Sequence, residues 1–131
     1  MRFVDTSFWI ALLVPRDARH EVAKELWASS RTTLLTTSHV VGETWTFLRR
    51  RAGHAAAVSF LDATVRSERL VVVHVEEEIE RAAFDWLRRH GERTYSFVDA
   101  TSFEVMRRRR LGEALAFDGD FAAAGFVEAR P

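Results

Sequence analysis

Four acidic side chains stand in mostly apolar surroundings in this 131-residue chain. Charged groups at core-facing positions are expensive unless they are paired or bound to a metal. The only lysine, Lys24, lies in a predicted early helix, and the arginines cluster toward the C-terminal ends of other predicted helices. An all-oxygen set of ligands favours a hard divalent cation, Mg²⁺ or Mn²⁺. The four acids are Asp5, Glu43, Asp99 and Asp118, and Asp120 follows close to the last of them.

Each acid also has a simpler structural explanation. Asp5 and Asp118 can cap helices that follow strands. The segment from Ser96 to Asp99 matches a capping box with aspartate in the usual place of glutamate. Glu43 can be a solvated helix residue. These explanations weaken when the acids are taken together, because apolar residues flank both Glu43 and Asp99 in the sequence.

Short β-prone runs alternate with longer amphipathic segments along the chain. We predict strands over 2–4, 32–37, 70–73 and 114–117, and a last edge strand near 126–127. The continuous apolar run at 70–73 is typical of a parallel strand covered on both faces. We predict helices over 6–14, 17–27, 38–51, 55–66, 76–90 and 96–110, with caps at Asp17, Ser38 and Ser96, and a short helical turn from Asp118.

This alternation predicts a parallel sheet with helices on both faces. Ligands of such sheets bind beyond the carboxyl ends of the strands, where Asp5 and Asp118 are expected. The first-turn acids Glu43 and Asp99 of two helices can converge on the same volume. Such a group of carboxylates suits metal-assisted hydrolysis of a phosphodiester.

The composition limits the class of protein. Hydrophobic residues make up 47% and charged residues 29%, as in ordinary globular domains, and the length fits one domain. The absence of cysteine excludes disulfides and thiolate metal sites. No apolar run is long enough to cross a membrane, so we expect a soluble, cytoplasmic protein. The net charge is zero, which excludes a global field that attracts polyanions.

The acids and the residues around them also carry a family resemblance. The chain resembles the PIN-domain ribonucleases, and specifically the VapC-type toxins of bacterial type II toxin–antitoxin pairs. The likeness covers the whole chain and agrees in the order and spacing of the four acids. It rests on residues 3–7, Glu43, the Asp99-Ala100 helix start and residues 114–121.

The resemblance implies a single PIN domain over residues 1–131, with a three-layer α/β/α sandwich and a mainly parallel central sheet. It implies a Mg²⁺-dependent endoribonuclease, with Mn²⁺ as an alternative ion. Family members often have threonine two residues before the fourth aspartate, where this chain has Ala116. This departure leaves open whether Asp118 or Asp120 is the fourth ligand. The implied catalytic and metal-binding residues are Asp5, Glu43, Asp99 and Asp118, with Asp120 and Thr6 as auxiliary groups.

The resemblance also implies partners. We expect a homodimer and a VapB-type antitoxin that inserts into a groove bordered by the first helices. Trp9, Trp27 and Trp45 are candidates for partial exposure there, with at least one of them buried in the core. Arginine runs at 49–51 and 107–110 close two helices, where the helix dipole favours cations. The runs contain more arginines than this role explains, so we predict contacts with the RNA backbone from Arg49, Arg50, Arg107 and Arg108.

Two other functions compete with the nuclease. A phospho-accepting receiver domain also gathers aspartates at strand ends, but it needs a lysine near the end of the sheet, and Lys24 is misplaced for that role. A catalytically silent PIN fold, used for RNA binding or assembly, predicts the loss of at least one carboxylate. Cleavage of labelled RNA with Mg²⁺ and with EDTA separates these functions.

Overall fold

A computed structural model describes all 131 residues, and its five strands and seven helices follow the predicted alternation. The strands are β1 (Arg2–Val4), β2 (Leu34–Thr37), β3 (Leu70–Val73), β4 (Glu113–Leu115) and β5 (Val127–Glu128). The helices are α1 (Thr6–Leu13), α2 (His20–Ser29), α3 (Ser38–Arg51), α4 (His54–Arg66), α5 (Glu77–Arg89), α6 (Phe97–Arg109) and α7 (Asp120–Ala123).

The strands form one parallel sheet in the order β3-β2-β1-β4-β5. Helices flank this sheet, so the predicted α/β/α sandwich is confirmed. Strand β1 lies at the centre, and its residue Val4 pairs with Leu115 of β4. Because both strands end at this level, the residues that follow them emerge at the same edge of the sheet.

One prediction about the sheet is wrong. Strand β3 pairs only with β2 at the edge of the sheet, and its side chains are only partly buried, so it is not covered on both faces. Its residue Val71 is 40% exposed. The apolar run correctly predicted a parallel strand, but a run of this kind does not distinguish a central strand from an edge strand.

Several predicted ends of elements shift for local reasons. Helix α2 begins at His20, because the Asp17 carboxylate accepts a hydrogen bond from the Arg19 amide (2.8 Å) and forms a turn instead of the helix cap. Helix α3 is capped by Thr37, whose hydroxyl accepts from the Val40 amide (3.1 Å), and not by Ser38.

An aromatic core holds α6 against the sheet. The buried Phe103 ring of α6 meets the edge of Phe121 at 4.9 Å, and Phe121 in turn contacts Phe3 of β1 at 5.9 Å. Rings packed in this way fix the position of the α6 N-terminus, which carries Asp99. None of the seven helices combines the length and apolar character that crossing a membrane would need.

Candidate active site

All five acids selected from the sequence line one open pocket of about 460 Å³ at the carboxyl edge of the sheet. Three of them come closest together, with carboxylate oxygens within 4.8 Å of one another. The structure therefore brings together residues that are up to 115 positions apart in the chain, from Asp5 to Asp120. The group of three is Asp99, Asp118 and Asp120.

Asp5 is fixed by the end of β1 and the start of α1. It caps α1, and its Oδ2 accepts hydrogen bonds from the Ser7 amide (3.1 Å) and the Ser7 hydroxyl (2.7 Å). The same hydroxyl accepts from the Phe117 amide (3.0 Å), which links Asp5 to the chain beside Asp118. Burial, assisted by the negative charge of Asp118, raises the pKa of Asp5 from 3.8 to about 8.

Asp99 lies in the first turn of α6 in the predicted capping box. Its Oδ2 accepts from the Ser96 amide (3.0 Å), while the Ser96 hydroxyl accepts from the Asp99 amide (2.9 Å). Burial raises the pKa of Asp99 from 3.8 to about 6, although the hydrogen bond from the Ser96 amide opposes the shift. The capping role is therefore confirmed, and it leaves one carboxylate oxygen for another partner.

Asp118 lies on the turn between β4 and α7, and Asp120 is the first residue of α7. Asp118 is exposed to solvent at the mouth of the pocket, yet the surrounding protein removes part of its hydration and raises its pKa. The negative charge of Asp120 adds to that rise, and a hydrogen bond from the Asp120 amide opposes it. The structure places both aspartates in the cluster with Asp99, so either of them could contribute an oxygen there.

Arg93 is a cation that the sequence analysis missed. Its Nε donates to Asp120 Oδ1 at 2.6 Å, and its Nη2 donates to the Asp118 carbonyl at 3.2 Å. Gly119 makes this approach possible, since it has a φ of 81° and a Cβ built there would lie 3.0 Å from Arg93 Nη2. The expectation that the arginines cluster toward helix ends does not hold for Arg93, which belongs to the loop between α5 and α6 and contacts these acids.

Glu43 lines the pocket from α3 but lies outside the group of three. It is half-buried, and its neighbour Phe47 is 37% exposed, so this part of α3 faces the pocket and not the core. The buried side of α3 instead carries Val40, Thr44 and Leu48. The expectation that Glu43 lies among core-facing residues is therefore wrong.

The pocket fits a divalent cation on two observations. Its donors are carboxylate and hydroxyl oxygens, the ligands that Mg²⁺ and Mn²⁺ prefer. The buried hydroxyl of Thr6, which also lines the pocket, has no hydrogen-bond partner, a state that buried polar groups rarely adopt. Asp99, Asp118 and Asp120, with Asp5 beside them, are the residues that could hold the ion.

The arginines of the pocket differ from those chosen from the sequence. Arg19 and Arg51 line the pocket, and neither forms an ion pair with a carboxylate. Arg49 and Arg50 lie exposed on the same turn as Arg51 but outside the pocket. The other two predicted contacts, Arg107 and Arg108, form ion pairs with Glu104, and Arg108 also with Glu78.

A second cavity of about 550 Å³ adjoins a different side of α1. Nine of its twelve lining residues are hydrophobic, among them Trp9, Leu13, Trp27 and Phe60. Trp9 is buried and Trp27 is half-buried, which confirms partial exposure with at least one buried tryptophan. Trp45 is also half-buried but lies outside this cavity, so its expected place beside the groove is wrong. We call this cavity the apolar groove.

Comparisons with known proteins agree with this geometry. The PIN domain family model matches residues 2–127. The 23S rRNA-specific endonuclease VapC20 of Mycobacterium tuberculosis is 58% identical over 132 residues, which span 100% of this chain and 99% of that protein. The crystal structure of VapC20, described as a sarcin–ricin loop cleaving toxin, superposes with a TM-score of 0.94 at 57% identity over 100% of both chains.

A toxin–antitoxin complex from Klebsiella pneumoniae has a chain of the same fold. Its TM-score is 0.70 at 15% identity, over 98% of this chain and 97% of that one. The match to the family model and the VapC20 relationship both span nearly the whole sequence. The chain therefore belongs to the PIN-domain family, and within that family it is a VapC-type endonuclease toxin.

Proposed function

We propose that this protein, acting as one PIN domain over residues 1–131, is a divalent-cation-dependent endoribonuclease that cuts 23S rRNA in the sarcin–ricin loop. The observation that carries the proposal is the convergence of five acids in one pocket. The substrate is proposed from VapC20, which shares 58% of the sequence and is named for its action on 23S rRNA. Such a function would be exerted in the cytoplasm, where ribosomes are.

We propose Mg²⁺ as the resident ion, with Mn²⁺ able to replace it. When bound, such an ion lowers the pKa of a water molecule and stabilises charge on the scissile phosphate. Asp5, Glu43, Asp99 and Asp118 are the proposed catalytic acids, and Asp120 adds an oxygen near the last two. The carboxylates that are ionised attract the cation, and binding of the ion would favour loss of the proton that burial and the charge of Asp118 leave on Asp5.

Three side chains hold this arrangement in place. Ser7 orients the Asp5 carboxylate through its amide and its hydroxyl. Ser96 does the same for Asp99 within the capping box. Arg93 holds Asp120 by a charge-assisted hydrogen bond of 2.6 Å and so limits the net negative charge of the pocket. The carboxylates are therefore positioned before a substrate arrives, which reduces the reorganisation needed for catalysis.

We also propose that a VapB-type antitoxin inhibits the enzyme by binding in the apolar groove. An exposed apolar surface of this kind marks protein contacts. Trp9 and Trp27 line the groove and offer aromatic surface to apolar side chains of an antitoxin. A homodimer is proposed as the toxin's state, and the stacked rings of Phe84, 48% exposed, and Phe97 offer an apolar patch outside both cavities.

The proposal is tested on intact ribosomes and on an RNA oligonucleotide that contains the sarcin–ricin loop. We expect one discrete cut in 23S rRNA with Mg²⁺ or Mn²⁺, none with EDTA, and none by Asp99→Asn. Asp62→Asn is the matched control, since Asp62 is an exposed aspartate of α4 outside the pocket. Cleavage in EDTA would contradict the metal requirement, and binding without cleavage would indicate a catalytically silent PIN fold.

A further inference from the structure

Three pocket residues lie four positions apart on α3, which places them along one face of the helix. They are Glu43, Phe47 and Arg51, and all three line the pocket. An acid near the aspartate cluster is thus followed, turn by turn, by an aromatic ring and a cation. We infer that Phe47 and Arg51 form a nucleotide-binding subsite beside the proposed cleavage site. This inference rests on the proposed action on RNA.

The exposure of Phe47 supports this role. Phe47 is 37% exposed, in contrast to the fully buried Phe3, Phe8, Phe103 and Phe121. The Arg51 guanidinium lies over its ring, with the Cζ atom 5.6 Å from the ring centroid. Proteins bind unpaired bases by stacking them on aromatic rings or on guanidinium planes. Phe47 provides an aromatic ring at the pocket, and Arg51 provides a guanidinium plane beside it.

The charge of Arg51 supports the same conclusion. Arg51 forms no ion pair, although its pocket contains several carboxylates. Arg93, in contrast, is already paired with Asp120. An unpaired guanidinium close to a negatively charged centre can bind the phosphate of a nucleotide adjacent to the scissile one, and so offset the repulsion between RNA and the acids.

A second aromatic–arginine contact on the pocket has a different character. Phe117 lies beneath Arg19, whose Cζ is 5.7 Å from the ring centroid, but it also stacks on Phe8 at 5.7 Å and contacts Arg130 at 5.4 Å. Its ring is therefore already covered, and Arg19 alone remains for a phosphate. We therefore assign base stacking to Phe47 and not to Phe117.

RNA affinity tests the subsite without depending on cleavage. The Asp99→Asn protein binds a fluorescent single-stranded RNA containing the sarcin–ricin loop sequence, and its Kd is measured by anisotropy over a range of salt. We expect Phe47→Ala to raise the Kd about 10-fold, within the range for the loss of one stacked base. Phe47→Trp should preserve binding. Arg51→Ala should weaken binding and reduce the salt slope by about 1.

Matched controls come from exposed residues outside the pocket. Val127→Ala trims an exposed apolar side chain of β5, and Arg66→Ala removes an arginine from the last turn of α4. Both should leave the Kd unchanged. A further test uses a series of RNAs in which one nucleotide at a time lacks its base. At one position the missing base should weaken binding to the protein that retains Phe47. The same RNA should bind Phe47→Ala no more weakly than the intact RNA does, because the ring on which that base stacks is already absent.

Two results would overturn the subsite. One is RNA binding by Phe47→Ala and Arg51→Ala that equals binding by the controls, which would show that this face of α3 does not contact RNA. The other is an abasic series that affects both proteins equally at every position. Failure of the wild-type protein to cut RNA would instead contradict the proposed function, while the affinities would still report on the subsite.

Discussion

Helix α1 borders two cavities of opposite chemistry. Thr6, Ser7 and Ile10 line the acidic pocket, whereas Trp9, Leu12 and Leu13 line the apolar groove. The acidic pocket concentrates carboxylates whose repulsion disfavours the metal-free fold. The groove instead leaves apolar side chains accessible, which forgoes hydrophobic stabilisation. Both regions lower the stability of the isolated chain, and each suits a different proposed partner, a cation with RNA in the pocket and a protein in the groove.

The largest expected effect comes from a substitution in the acidic pocket that leaves the apolar groove unchanged. Asp99→Asn keeps the shape of the side chain and the capping contact but removes one negative charge. We expect RNA cleavage to fall by about 100-fold or more, a size typical of losing an electrostatic group of an active site. Mg²⁺ should raise the Tm of the wild-type protein more than that of Asp99→Asn, because the ion binds only the folded state.

The metal-free proteins complete that test. Metal-free Asp99→Asn should be at least as stable as the wild type, because the loss of repulsion offsets any weakening of the capping box, about 1 kcal/mol. Asp62→Asn should match the wild type in cleavage, in Tm and in its response to Mg²⁺. A variant that melts well below wild type, gains equally from Mg²⁺ and still cuts RNA would show that Asp99 is only a helix cap.

The next effect concerns the groove alone. Leu13 is 40% exposed on α1, so Leu13→Glu should fold normally and place a charge in the apolar surface. We expect the affinity for a VapB-type antitoxin to fall at least about 10-fold, the effect of an unpaired charge at an interface core, while RNA cleavage stays unchanged. The measurement is antitoxin titration of the nuclease activity. Normal inhibition of Leu13→Glu would place the antitoxin elsewhere.

The dependence of stability on pH sharpens the description of the acidic pocket. In the unfolded chain Asp5 loses its proton near pH 3.8, whereas in the folded protein its pKa is about 8. Between these values the folded state binds more protons, so the metal-free protein should lose stability as the pH rises. The contribution of one such group is at most about 1.4 kcal/mol per pH unit.

Chemical denaturation of wild-type and Asp5→Asn proteins from pH 4 to pH 8, in EDTA, checks this expectation. Asn is a good helix cap, so the variant should retain α1 and lose the slope contributed by Asp5. Both proteins contain the same five histidines, so the contribution of histidine titration cancels when their free energies of unfolding are subtracted. Identical slopes in the two proteins would show that Asp5 titrates normally in the fold.

The two regions also differ in what the sequence could predict. The acids of the pocket were identifiable because they interrupt apolar segments, and strands β1 and β3 were placed at the correct residues because short apolar runs define them. Arg93 was missed because it lies in a loop, 25 and 27 positions before its partners Asp118 and Asp120. Loop conformation depends on tertiary contacts that no local pattern encodes.

The choice among the arginines shows a different limit. A spacing of four from Glu43 through Phe47 to Arg51 was present in the sequence and marks one helix face. The clusters at 49–51 and 107–110 drew attention to charge density instead. Density does not show which member of a cluster faces the pocket, and it does not show that Arg107 and Arg108 are already paired with Glu104.

The smallest effect is expected for these outlying arginines. We propose Arg49, Arg50, Arg107 and Arg108 as peripheral contacts with the RNA backbone, outside the pocket. Arg108 donates to Glu104 at 2.9 Å and to Glu78 at 3.1 Å, so binding a phosphate would require it to leave these partners. Arg108→Ala should therefore weaken RNA binding by no more than about 3-fold, as for a weak surface charge contact.

The same substitution should change the free energy of unfolding by less than about 1 kcal/mol, because exposed ion pairs contribute little. Anisotropy with the RNA used for Arg51→Ala, together with urea denaturation, measures both quantities. Arg66→Ala serves again as the control, since that arginine is exposed on α4 and has no ion pair. If Arg108→Ala weakened RNA binding as much as Arg51→Ala does, the RNA-binding surface would extend from the pocket to the outer face of α5 and α6. Equal losses of affinity would mean that Arg108 also holds a phosphate.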